Sequence, residues 1–247
     1  MSEKNIKDKV AIVTGGTGAL GRVIAHKLAE LGIKVYIPTL TMDEFNHVFD
    51  NSSTADEGEF KLRKIFAFDC NAFDENSVKD FVDSVEIQEK GSIDYLINTV
   101  GGIHAPVNIA DLDTATFDKM FTFNFKSTFF FTRECLKIMK RNNFGRIVSI
   151  GAIAGMKPEA ARFPYSYSKA GVNWLMDTVS EEYKDYNIRA NTVVPSIIDT
   201  PANREWGSEE DIKKWVKPEE VADAISYLIS DKGNSIRSSI IKVFGNY

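Results

Sequence analysis

Short apolar runs alternate with segments of helical period along this chain, from Val10 to Phe244. That alternation limits the fold more than any other feature. A continuous apolar run reads as a strand buried on both faces, and parallel strands need a crossover, usually a helix, between them. The runs lie at 10–14, 34–37, 65–68, 93–98, 146–150, 188–194 and 239–244. Helical spacing marks 19–31, 76–89, 114–141, 165–186 and 218–230. The pattern predicts an α/β chain: a single-domain, Rossmann-like, doubly wound parallel sheet of about seven strands with helices on both faces. The domain would span 1–247, with a short substrate-loop segment at about 200–217 and a long polar insertion at 42–59.

Composition removes several function classes. The 247 residues are 43% hydrophobic and 26% charged, ordinary values for a soluble globular protein. A net charge of −5 gives no reason to expect a nucleic-acid surface. The polar start MSEKNIKDK has no apolar stretch of secretory type, and no run is long enough to span a membrane. Cys70 and Cys135 are far apart, and His26, His47 and His104 are scattered. No metal site is expected, and the thiols read as reduced groups of a cytoplasmic protein.

In sheets of this kind ligands bind at the carboxyl ends of the strands. After the first run comes Thr14-Gly15-Gly16-Thr17-Gly18-Ala19-Leu20-Gly21, then a helix. Glycines let backbone N–H groups approach an anion, and the helix N-terminus adds a favourable dipole. A pyrophosphate fits there, which points to a dinucleotide held by Gly15, Thr17, Gly18, Ala19, Leu20 and Gly21. An acidic residue ending the second strand would bind the ribose diol of NAD, and an arginine would take the extra phosphate of NADP. The position reads Thr39-Leu40, which is neither. Thr39 and Thr41 would bond a phosphate, with Arg22 close, so the reading leans to NADP(H) over NAD(H). Asp69, ending the third strand, reads either as an acceptor for the adenine amino group or as a helix N-cap. Tyr165 and Lys169 are four apart and share a helix face.

In this order the residues resemble the short-chain dehydrogenase/reductase family across nearly the whole chain. Thr14 to Gly21 is similar to its TGxxxGxG, Asn98-Thr99-Val100-Gly101 to its NNAG, and Tyr165 to Lys169 to its YxxxK. Asn124 stands where the family has a helix asparagine; Asn191 to Ser196 resembles NxVxPG, with Thr200 following. Three positions depart from the pattern. Ala19 replaces the middle glycine of the first motif, and Ser196 replaces the glycine after Pro195. Counting back thirteen residues from Tyr165, where the family's catalytic serine stands, reaches Ala152.

The resemblance implies hydride transfer between a nicotinamide and a small carbonyl, alcohol or quinonoid substrate. Tyr165 would be the acid or base, Lys169 would lower its pKa and contact the nicotinamide ribose, and Asn124 would hold a water leading to solvent. Asn98, Gly101, Pro195, Ile198 and Thr200 would complete the cofactor site. Losing the serine removes an oxyanion donor, which costs roughly 100- to 1000-fold for an ordinary ketone. Ser149, Ser166, Tyr167 or Ser196 would have to substitute, or the substrate must need no such donor. Dihydropteridine reductase, a branch that works with alanine at this position, resembles the second case, and its glycine turn also reads Ala-Leu-Gly. A catalytically impaired cofactor-binding member is the remaining alternative.

Phe117, Phe121, Phe125 and Phe129 recur every four residues, with Phe123, Phe130 and Phe131 off that stripe. A helix apolar on two sides is buried on two sides. The second side packs either in the core or on a twin subunit. The family resemblance implies a homodimer or homotetramer through the 114–141 and 165–186 helices. The charged segment from Trp206 to Trp215 reads as a substrate lid or a surface helix, and His104 as a pocket border or a loop residue.

Overall fold

The computed structural model describes residues 6–49 and 64–246. Its strands are β1 (Val10–Thr14), β2 (Lys34–Thr39), β3 (Ile65–Asp69), β4 (Tyr95–Asn98), β5 (Gly145–Ile150), β6 (Ile188–Pro195) and β7 (Ile240–Val243). They form one sheet in the order β3-β2-β1-β4-β5-β6-β7, and every neighbouring pair is parallel. The order reverses between β1 and β4. A crevice therefore opens at the carboxyl ends there, because the connections leave on opposite sides.

The unbroken apolar runs follow from burial on both faces. Within β1, Ala11 and Val13 join one core layer while Val10 and Ile12 join the other. The helices are α1 (Ala19–Glu30), α2 (Met42–Phe49), α3 (Glu75–Gln88), α4 (Thr114–Phe121), α5 (Ser127–Arg141), α6 (Phe163–Glu182), α7 (Pro201–Arg204), α8 (Glu209–Ile212) and α9 (Pro218–Ile229). Ile24 and Leu28 of α1 pack with Ile225 and Leu228 of α9 on one face. Phe81 of α3, Phe131 of α5 and Met176 of α6 pack on the other. The doubly wound sheet of seven parallel strands is thus present as read from the sequence.

Four details differ from the sequence expectation. The polar insertion at 42–59 begins as helix α2, whose Phe45 and Phe49 stack with ring centroids 4.8 Å apart; its part at 50–59 lies outside the described residues. The single long helix at 114–141 is broken by a π turn, Thr122–Lys126. There Ser127 and Thr128 donate their hydroxyls to the carbonyls of Phe123 and Asn124, competing with the helical ladder. The helix expected at 165–186 starts at Phe163, with Pro164 inside its first turn, and ends as α6 at Glu182 before a 3-10 turn. The segment from Trp206 to Trp215 is not one helix: α8 is a single turn within it, and the two indoles pack at 5.1 Å between centroids. Among the described residues no helix is long and apolar enough to cross a membrane, and no group of three metal-ligating side chains occurs.

Candidate functional site

The glycine turn closes on itself between β1 and α1. Gly15 has a φ of +64°, and a side chain on it would meet Thr99 Oγ1 at 2.9 Å. A Cβ on Gly21 would sit 2.1 Å from the Gly15 carbonyl oxygen, so only glycine lets α1 start so close to the turn. Gly18 is the N-cap of α1 and offers no side-chain acceptor, which leaves the first-turn N–H groups for a ligand. Thr14 Oγ1 accepts from Thr99 N, and Thr99 Oγ1 donates to Thr14 O at 2.6 Å. These bonds bolt the ends of β1 and β4 together below the crevice.

A cavity of about 320 Å³ opens beside this turn. Gly15, Thr17 and Gly18 line it with Thr39, Leu40 and Glu44 on one side, and Cys70, Phe73, Thr99, Val100, Gly101 and Phe123 on the other. The open N-terminus of α1, the close-packed glycines and this cavity fit a dinucleotide.

A second convergence lies where the β4 loop, the π turn and α6 meet. Asn124 is fully buried in the π turn. Its Oδ1 accepts from Gly102 N at 3.0 Å, and its Nδ2 donates to Gly102 O and Met120 O. Lys169 is 5% exposed, and its Nζ donates to Ile150 O at 2.9 Å. Both side chains crowd Gly101: a Cβ there would lie 2.9 Å from Asn124 Oδ1 and 3.0 Å from Lys169 Nζ. Burial pushes the Lys169 amine down to about 8. Tyr165, one turn before it, is half-buried. Burial pushes its phenol up to about 12; Glu159 adds to the rise and Arg162 opposes it.

Ala152 sits at the end of β5 as the N-cap of a 3-10 turn, buried and without a polar side chain. The hydroxyls considered as its substitutes are mostly engaged elsewhere. Ser149 Oγ accepts from Asn98 Nδ2 and contacts Met176 Sδ. Ser196 donates to Phe244 O at 3.0 Å. Tyr167 is half-exposed and packs on Phe117, Phe121 and Phe163. Ser166 Oγ is buried without a partner among the described residues.

Other sequence candidates divide. Pro195 ends β6, Ile198 pairs with Val216, and Thr200 caps α7 by accepting from Asn203 N, so all three stand at the carboxyl edge. Asp69 ends β3, exposed, while its neighbour Cys70 lines the cavity. Asn98 is buried and faces inward, donating to Ser149 and Thr132, so its side chain braces β4 against β5. His104 is clipped through its carbonyl to Arg162. Arg22 is exposed on α1 and does not line the cavity. Glu44, absent from the sequence candidates, lines the cavity from the first turn of α2, beyond the end of β2. Phe45, Val48 and Phe49, apolar at helical spacing right after it, are the signal that would have found helix α2.

A family model described as short chain dehydrogenase matches residues 9–211. The 7alpha-hydroxysteroid dehydrogenase of Clostridium sardiniense is 29% identical over 99% of this chain and 95% of its own length. The 3-oxoacyl-[acyl-carrier-protein] reductase FabG of Thermotoga maritima is 27% identical over 97% of this chain and 98% of its own. The crystal structure of gox2181 superposes with a TM-score of 0.87 at 25% identity, covering 98% of this chain and 97% of that one.

Proposed function

This chain belongs to the short chain dehydrogenase family, and we propose that it is a nicotinamide-dinucleotide oxidoreductase acting on a small carbonyl, alcohol or quinonoid substrate. The observation that carries the proposal is the meeting of Gly101, Asn124 and Lys169 one helical turn from Tyr165, at the sheet edge that also holds the glycine turn. Relatives named for a hydroxysteroid and a 3-oxoacyl chain make an alcohol–carbonyl pair the first class to try.

The nicotinamide, when bound, supplies or takes the hydride. The chain's own groups do the rest. First-turn amides of α1, with Gly15, Thr17, Gly18, Ala19, Leu20 and Gly21, hold the pyrophosphate. Thr39, Asp69, Asn98 and Gly101 border the adenosine half, Asn98 by bracing the strand ends. Pro195, Ile198 and Thr200 border the nicotinamide half. Tyr165 gives or takes the proton at the substrate oxygen or nitrogen. A phenol held up at about 12 by burial stays protonated at neutral pH and gives its proton up reluctantly, so Lys169 must stabilise the phenolate by its charge. Asn124 fixes Gly102 and the loop over the site. The segment 200–217 acts as the lid, and the chain works in the cytoplasm, where its two buried, free cysteines stay reduced.

Ala152 favours the quinonoid end of this substrate range. Ser149 and Ser196 are committed to other partners and only the buried Ser166 hydroxyl is unpartnered among the described residues, so an electron-poor acceptor that needs no hydroxyl donor suits the site. We infer that two copies pair through α4–α6. An apolar groove of about 590 Å³ there is lined by Phe121, Phe125, Phe129, Tyr167, Gly171 and Trp174, and Trp174 is 74% exposed.

Oxidation of NADH and NADPH with quinonoid dihydropterins, quinones, diketones and simple ketones tests the proposal. Turnover with any of these acceptors supports it, and fastest turnover with the quinonoid ones supports that end of the substrate range. Tight cofactor binding with no turnover on any acceptor would leave a binding protein and sink the enzyme.

A further inference from the structure

We propose that Glu44 selects NAD(H) over NADP(H), by setting a carboxylate where the extra phosphate of NADP would lie. The inference rests on the dinucleotide-binding function above and narrows it.

The end of β2, Thr39-Leu40, is itself uncharged, which in the sequence favours NADP(H). The fold brings charge to that place from the next element. α2 begins at Met42, so Glu44 lies in its first turn and lines the cavity beside Gly15, Thr17 and Gly18. Its Oε1 accepts from Thr17 Oγ1 at 2.6 Å, and its Oε2 lies 3.4 Å from Thr39 Oγ1. Thr17 belongs to the glycine turn and Thr39 ends β2. The carboxylate thus bridges the two elements that flank an adenosine ribose when its pyrophosphate occupies the turn.

The chemistry of the two cofactors differs at that point. An ionised carboxylate only accepts hydrogen bonds and has about four lone-pair sites, of which the threonines use part. A ribose diol donates and can fill the remainder. A 2′-phosphate brings one or two negative charges against the carboxylate, and like charges at short range repel. No lysine or arginine lines the cavity among the described residues, so nothing there offsets the repulsion. Glu44 is itself exposed and joins no ion pair among them.

Equilibrium titration of the full chain with NADH and with NADPH, followed by nicotinamide fluorescence, tests this without turnover. NADH should bind about 10- to 100-fold more tightly than NADPH. Glu44→Gln keeps the size and removes the charge, and should narrow the ratio to less than about tenfold, chiefly by tightening NADPH. Equal affinities, or tighter NADPH, in the unsubstituted chain would overturn the inference while leaving the dinucleotide site intact. So would a Glu44→Gln chain with an unchanged ratio. Binding of neither dinucleotide would instead remove the underlying function, and the inference with it.

Discussion

The Asn124 carboxamide and the Lys169 ammonium close on a single point above Gly101, where a methyl group would stand 2.9 Å from one and 3.0 Å from the other. Asn124 cannot yield easily, because three hydrogen bonds pin its amide. Gly101→Ala should therefore displace the lysine. A misplacement near 1 Å costs on the order of 100-fold in rate, and overpacking costs about 1–3 kcal/mol of stability. Steady-state kinetics beside chemical denaturation checks both; unchanged kinetics would mean that Lys169 has more room than the packing indicates.

Tyr165→Phe removes the proposed proton donor and little volume. Turnover should fall by about 10²- to 10⁴-fold, the usual contribution of a positioned acid or base. Dinucleotide affinity should stay within roughly twofold, since the glycine turn is untouched. Retained turnover would assign the proton to another group.

Lys169 carries a pH signature in stability. Its folded pKa lies near 8, below the 10.5 of the free side chain, because burial disfavours the charged amine. Between those values the unfolded chain holds a proton that the folded chain has released. This residue's contribution to stability therefore rises with pH across that window and is most unfavourable below pH 8. The full rise is on the order of 3 kcal/mol. Denaturant midpoints of the native chain and of Lys169→Met, compared from pH 7 to 10, should show the native chain gaining stability relative to the variant as pH rises. Parallel curves would show an amine that is better solvated than its burial implies.

Ala152→Ser restores a hydroxyl at the end of β5. Reduction of a simple ketone should rise by up to about 100-fold, while reduction of a quinonoid acceptor should change little. A matched rise for both acceptors would contradict the preference for an electron-poor substrate.

Trp174→Glu puts a charge into the apolar groove of α4–α6. If that groove is the seam between copies, sedimentation should show a shift from dimer or tetramer towards monomer at micromolar concentration. An unaltered sedimentation profile would place the seam elsewhere.

Burial explains which parts of this fold were legible in the sequence. Strands such as β1 bury both faces, so their apolar runs are unbroken and conspicuous. Gly15 and Gly21 were legible because backbone approaches nothing else tolerates. The π turn was not, since one extra residue inside a helical pattern leaves no change in composition. Asn98 was legible as a residue but not in its orientation: an asparagine bracing two strands and one facing a ligand look alike until the fold places them. Glu44 was hidden because its position depends on how α2 returns over the crevice.

The π turn at Thr122–Lys126 also fixes the phase of the aromatic stripe. Residues four apart overshoot a full α-helical turn by roughly 40°, so a four-residue repeat spirals away from any flat partner. A wider turn inserted midway winds the stripe back, and the rings of Phe117, Phe121, Phe125 and Phe129 stack in succession at 6.4, 5.0 and 6.5 Å. The same inserted residue points Asn124 into the protein and keeps Phe125 on its outer side, over Gly171. The proposed site and the proposed seam are thus geared through one half-step of winding. Deleting a single residue there would turn Asn124 and the Phe125 side of the stripe out of phase together.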